Sequence, residues 1–263
     1  SMQELAAVAE KTQDQTVETV TTFDNDPPAA GVTVGRFIEY IEIGKHPQNA
    51  YQGKAKPPTD YIRVTFELLH PKKNIHEYEH EGEKRIRGEY VTIKLAKKLS
   101  DKAQFRQLFK TMAYGRDDIK HMAQMLGEAF IINIYHNVVA ATADKKAATY
   151  VNLDKDGVYG IGAPFITDPL EGTKTEVPVR EAIRPLRLFL FDNPTKETWD
   201  SLFIDGTRES KNDKGEVIQI SKNWLQELIQ SALNYAGSPL NALVGGVAEL
   251  PLSEEAVGEA AEL

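Results

Sequence analysis

YIRVTFELL, residues 61–69, alternates well: Ile62, Val64, Phe66 and Leu68 fall on one side of an extended chain, and Tyr61, Arg63, Thr65 and Glu67 on the other. A period of two with one apolar and one polar row is the pattern of a half-buried strand. The apolar row requires a core beneath it. The polar row carries a ring and a guanidinium outward.

Strand signals lie on both sides. GVTVGRFIEYIEIG, 31–44, is rich in β-branched and aromatic residues, and RIRGEYVTIKL, 85–95, reads as a third strand with a bulge at Gly88. HPKKNIHEYEHEGEK, 70–84, reads as a solvated charged connection. A helix follows, capped by Ser100, with Phe105, Leu108, Phe109 and Met112 at helical spacing, which assigns both phenylalanines to the core. After Gly115 a second short helix carries Ile119, Met122, Ala123 and Leu126. AFIINIYHNVVA, 129–140, is a fourth strand, on which Tyr135 and His136 can take either face. TYVNL and VYGIGAPF, joined by a turn at Asp156-Gly157, supply a fifth.

Three strands, a helix and two strands is the order of the five-stranded Greek-key OB barrel. The expected fold class is therefore mainly β with helices (α+β). An OB-fold nucleic-acid-binding domain spans 31–163. An extension, 164–246, packs on the barrel through LRLFLFDNP, 186–194, and an amphipathic helix, 221–235. That helix is capped at Ser221, with Trp224, Leu225, Leu228, Ile229 and Ala232 on one face. Residues 1–30 read as a disordered acidic segment, and 247–263 as a flexible acidic tail.

The net charge of −8 conceals a segregation. Residues 1–30 carry −5 and residues 249–263 another −5, which leaves the centre at +2. Residues 84–120 hold eleven Lys and Arg against four acids. A basic middle between acidic ends suits a polyanionic partner better than the total suggests. The absence of cysteine excludes a disulfide framework, a thiolate metal site and a thiol nucleophile, and fits a reducing compartment. No apolar run approaches the roughly 18 residues that cross a bilayer, and no signal peptide is visible.

Motifs for chemistry are weak. HEYEH, 76–80, matches the zincin pattern, but zinc needs both imidazoles on one packed helix, and residues 70–83 have almost no apolar face. A zinc hydrolase is a remote alternative. NLDKDG, 152–157, opens like a calcium loop, but Ala163 stands where the bidentate acid belongs. There is no P-loop and no G-x-S-x-G. The expectation is no enzyme, no cofactor, no metal and no catalytic residue.

Sequence-neutral binding of single strands needs cations for phosphates and flat rings for bases. OB barrels present both on strands two and three and on the first and fourth inter-strand loops. Those places hold Lys45, Tyr51, Lys54, Lys56, Tyr61, Arg63, Arg85, Arg87, Tyr90, Lys94, Lys97 and Lys98, the candidate DNA-binding set. The loop from Gly44 to Pro58 is long, and Pro47, Pro57 and Pro58 stiffen it, so less entropy is lost when it closes on a ligand.

Over most of residues 31–237 the chain resembles the phage-encoded single-stranded DNA-binding proteins. The features are IGKHPQNAYQGKAKPP followed directly by YIRVTFELL, and PLRLFLFDNPTKETWDSLF with NWLQELIQSALNY. The resemblance implies an OB-fold protein that coats single-stranded DNA in phage DNA replication or recombination, in the cytoplasm of the infected bacterial host, without catalysis. It implies Tyr51, Lys54 and Lys56 at the mouth of the groove. It also implies an acidic C-terminal tail that recruits replication or recombination proteins and competes with DNA. No membrane partner is expected, and a homo-oligomer is left open. The alternative is a phage structural or protein-interaction β-barrel protein.

Overall fold

The computed structural model describes residues 27–48, 50, 53–80, 82–141, 147–211 and 216–245. The alternating stretch forms β2 (Thr59–Leu68) between β1 (Gly31–His46) and β4 (Glu83–Ala96). With β3 (Ile75–His80), β5 (Ala129–Val139) and β6 (Ala148–Asn152) these make a large sheet in the order β3-β4-β2-β1-β5-β6. Those pairings are all antiparallel. The protein is mainly β, with few helices, an α+β chain.

β1 is the spine. Its first half, Gly31–Arg36, pairs with β5; its second half receives β12 (Arg187–Phe189) in parallel, Glu39 beside Arg187. The register with β2 slips between Phe37 and Glu39 and again between Glu42 and Gly44. Such bulges bend a strand and increase its twist, and β1 changes partner at the first of them. It is buried on both faces, which explains its nearly continuous apolar composition.

Two cores follow. Phe37, Tyr40, Ile62, Val64, Phe66 and Leu68 face the first, with Leu108 and Met112 of α1 (Gln104–Ala113). Ile41 and Ile43 face the second, against Phe189, Phe191, Trp199 and Leu202 of the extension and Leu225 and Ile229 of α3 (Trp224–Gln230). Each such buried side chain contributes about 1.5–3 kcal/mol. Trp199 sits on α2 (Lys196–Asp200), and Leu240 of α4 (Pro239–Gly245) completes the second cluster.

Past β6 the chain makes a tight hairpin, β7 (Asp154–Lys155) and β8 (Val158–Tyr159), and β9 (Ile161–Gly162) returns to β5. The turn residues Asp156 and Gly157 have φ of 55° and 83°, both positive as a type I′ turn demands. Among the described residues no pairing joins β4 to β9, so the barrel is not closed; α1 packs against β4, β8 and β9 at that opening. The extension adds two hairpins, β10 (Phe165–Thr167) with β11 (Lys174–Glu176) and β13 (Thr207–Lys211) with β14 (Val217–Ser221).

Four expectations are corrected. Residues 70–84 are not a loop: β3 pairs with Glu83–Gly88, while β2 pairs with Glu89–Ala96. IHEYEH has no apolar row, so its strand character comes from the long β4 beside it rather than from burial. Gly88 is no bulge; it is glycine because a Cβ there would come within 2.9 Å of Glu67 Cγ. The first helix is preceded by Ala103, not capped by Ser100. The late helix begins at Trp224, because Ser221 still belongs to β14, and it ends at Gln230 rather than 235.

Inside the first core the Tyr40 hydroxyl donates to Glu42 Oε1 at 3.2 Å. Burial, then the Glu42 charge and this bond, push Tyr40 well above the tyrosine value of 10.0, and burial with Asp154 pushes Tyr159 up to about 12. Between pH 10 and those values the folded chain keeps protons that the unfolded chain releases. The associated stability is complete below pH 10 and falls as pH rises beyond it. Urea midpoints measured across that range should decline from about pH 10 upward.

Candidate nucleic-acid interface

Alternation turns the second row of β2 away from the first core. Tyr61, Arg63, Thr65 and Glu67 lie opposite Ala96, Lys94, Thr92 and Tyr90 of β4 on one side. On the other side they face Gly44, Ile41, Glu39 and Arg36 of β1. Directly opposed residues share a face, so strands from three parts of the chain build one surface.

Cations sit over three of its rings. The Arg184 guanidinium is 4.2 Å from the Tyr90 ring centre, the Lys94 ammonium 4.4 Å from that of Tyr61, and the Arg63 guanidinium 4.7 Å from that of Trp224. Such pairs are attractive through the ring quadrupole. Burial lowers the Arg63 pKa, which Glu39 and Tyr90 partly offset; burial and then the Arg63 charge lower that of Lys94. Arg63 and Lys94 are thus crowded together and partly stripped of water, the condition in which an incoming anion gains most.

Carboxylates hold the frame. Glu39 accepts from Arg187 and from Thr65 Oγ1 at 2.7 Å, and Thr65 meets Thr92 at 2.8 Å. Glu67 is fully buried; its Oε2 accepts the Ile183 and Arg184 N–H groups at 2.8 and 3.2 Å. That grip sets Arg184 over Tyr90. Arg36 holds the same strap by bonds to the carbonyls of Val179 and Arg180 and to Glu181. An adjoining cleft of about 1040 Å³ is lined by Leu69, Ile86, Val179 and Ile183, but also by Glu176 and Glu181, which disfavour phosphate.

Of the candidate residues, Tyr61, Arg63, Tyr90 and Lys94 come together here. Arg85 and Arg87 do not. They oppose Tyr78 and His76, on the face where Glu89 meets His76 Nε2 at 2.8 Å, so strand alternation puts them opposite Tyr90 and Lys94. Lys97 is ion-paired to Glu42 at 2.5 Å. Lys98 is exposed and donates to Gln48 Oε1 at 3.3 Å. Lys45 lies one residue before the end of β1, its backbone bonded to Asn234 and Leu233. Lys54 and Lys56 are exposed in the first loop, and Tyr51 lies outside the described residues.

Trp224, Arg184 and Arg187 were not among the candidates. Trp224 was assigned to the helix core, yet it is 41% exposed, because the buried stripe of that helix is Leu225, Gln226 and Ile229. The run REAIRPLR, 180–187, with three arginines, was the signal for the other two.

His76 and His80 lie four residues apart on β3, a span of about 13 Å along an extended strand. One ion cannot bridge that distance, and the described residues contain no cluster of three His, Asp or Glu able to hold a metal. No described helix is long and apolar enough to cross a membrane. No family model matches the chain, nor does any curated protein or solved structure.

Proposed function

We propose that this is a non-enzymatic single-stranded DNA-binding protein that coats DNA without sequence preference, in phage replication or recombination. The observation that carries the reading is the set of three cation–ring pairs that β2 and β4 build with Arg184 and with Trp224 of α3. Rings stack bases of any sequence, and the cations beside them neutralise phosphates. We read the open sheet as an OB-type barrel. Its neighbours β1–β2, β2–β4, β1–β5 and β5–β9 correspond to four strand contacts of that fold, with α1 between the third and fourth strands. The acidic segments at either end, outside the described residues, are proposed to engage partner proteins rather than DNA.

Fluorescence anisotropy with oligo-dT and with its duplex, across a salt series, tests this. Arg63 and Lys94 make no ion pair among the described residues, while Arg184 Nε lies 3.8 Å from the buried Glu67 Oε1. If each of the three meets one phosphate, at about −0.7 per phosphate the log–log salt slope should be near −2. Absent binding at low salt, or tighter binding of duplex, would sink the proposal.

A protein-contact role has one observation of its own. The edge strand β6 is uncharged, and Val138, Val139 and Tyr150 of the β5–β6 arm are exposed. Edges of that kind pair with other strands. On that reading oligo-dT does not bind.

A further inference from the structure

Lys94 of the basic run 84–120 lies on the face just described, but Lys97, Arg106 and Lys120 of the same run line a cavity of about 360 Å³ beside α1. Leu99, Phe105, Phe109 and Met122 form the apolar lining; Lys97, Arg106, Lys120 and His121 are the polar groups, and no carboxylate lines it. Phe105 is buried, but Phe109 is only half-buried, unlike the full core residue its spacing suggested.

The polar groups are fixed as donors. His121 Nδ1 accepts the Ala123 N–H at 3.1 Å, which leaves the proton on Nε2, and the ring meets Tyr40 edge-on at 5.2 Å. The Lys120 backbone is held by Gln124 Oε1 at 2.7 Å, while its ammonium makes no ion pair among the described residues. Arg106 bonds the exposed Asp101 through Nε at 2.9 Å, with its terminal nitrogens left over. Aromatic walls with donors and no acceptor carboxylate suit a flat group that carries negative charge.

Resting on the proposed function, we propose that this pocket takes one nucleotide of the bound single strand. Its base lies against Phe109 and its phosphate among Arg106, Lys120 and His121. Continuity selects the nucleotide over an acidic peptide of similar charge. Leu99, 70% exposed, borders both this cavity and a smaller one of about 200 Å³ that reaches Tyr61. Glu42, Asp60 and Asp192 line the smaller one and disfavour phosphate, so a strand leaving Tyr61 passes outside it, over the exposed Lys98 and Leu99, to arrive there.

The test uses the full chain, Lys120→Glu and Phe109→Ala, a length series of oligo-dT, and thymidine 5′-monophosphate as probe. Lys120→Glu alters only an exposed side chain, so it keeps the test valid if Phe109→Ala fails to fold. Long oligonucleotides should bind each folded variant roughly tenfold more weakly, the loss of about one stacked base. Oligonucleotides too short to leave the β2–β4 face should bind as before. The mononucleotide should shift the His121 and Met122 NMR signals, and Lys120→Glu should abolish the shift. If wild type binds oligo-dT and both folded variants bind every length equally well, the pocket assignment is wrong and the face reading stands. If wild type binds no oligo-dT, both fall. A glutamate-rich peptide that shifts these signals where the mononucleotide does not would overturn the nucleotide assignment.

Discussion

A variant with Tyr90 and Trp224 both replaced by alanine is expected to lose roughly thirtyfold or more in oligo-dT affinity while its salt slope stays that of wild type. The two rings are 50% and 41% exposed, so little core packing is lost with them, and the urea midpoint should barely move. Each sits beside a guanidinium, Arg184 at 4.2 Å and Arg63 at 4.7 Å, which orients the ring and leaves area open to solvent. Stacking is worth roughly 1–3 kcal/mol per base, hence about 2–6 kcal/mol for two. At 1.4 kcal/mol per decade that exceeds tenfold even at the low end. Phosphate neutralisation is left intact, and only that term sets the slope. Lys94→Ala is the contrasting case: it should make the slope shallower by about 0.7, with the affinity loss greatest at low salt. Wild-type affinity in the double alanine variant, in folded protein, would remove the stacking role and the central support for the proposed function.

The two faces of this sheet were legible in YIRVTFELL because β2 has one apolar row and one polar row, the circumstance in which a period of two is unambiguous, although Thr65 and Glu67 of the polar row are themselves buried. β3 was not legible, since both rows of IHEYEH are polar and only its partner makes it a strand. Arg85 and Arg87 are a different kind of miss. Their parity with Val91 and Leu95, both core residues, already set them apart from Tyr90 and Lys94. Choosing residues by segment rather than by face joined two surfaces into one. Trp224 was lost because a helix read as fifteen residues places it on the apolar stripe. In the seven-residue helix that forms, it stands at the first position, beside Arg63. Arg184 and Arg187 reach the site through the parallel pairing of β12 with β1 and through Glu67, contacts of more than a hundred residues' separation that no local period encodes. The candidate site was therefore half visible: the strand residues followed from alternation, and the strap that completes them required the tertiary fold.

Lys97 illustrates how a basic residue in the right segment can serve the fold instead. Lys97→Met is expected to destabilise the protein by roughly 2–4 kcal/mol, an effect larger than any change in the DNA affinity of the folded fraction, because the Lys97 ammonium that borders the α1 cavity is already committed to Glu42. The Glu42 side chain is 7% exposed and that of Lys97 33%. Removing the ammonium strands a carboxylate in the interior, which costs about 3–5 kcal/mol for a fully buried pair and less here because water reaches Lys97. Glu42 also accepts from the Tyr40 hydroxyl and, through Oε2, from the Phe191 N–H at 3.1 Å. One carboxylate thus links the first core to the extension that carries Trp199 and α3, and through α3 to Trp224 on the proposed binding face. Pairing Lys97→Met with Glu42→Gln removes both charges, keeps hydrogen-bonding capacity for Tyr40 and Phe191, and should recover part of the loss in a double-mutant cycle of urea midpoints. The opposite pattern, wild-type stability with weakened DNA binding in Lys97→Met, would return Lys97 to the interface and require the groove to extend past Tyr61 on the Glu42 side.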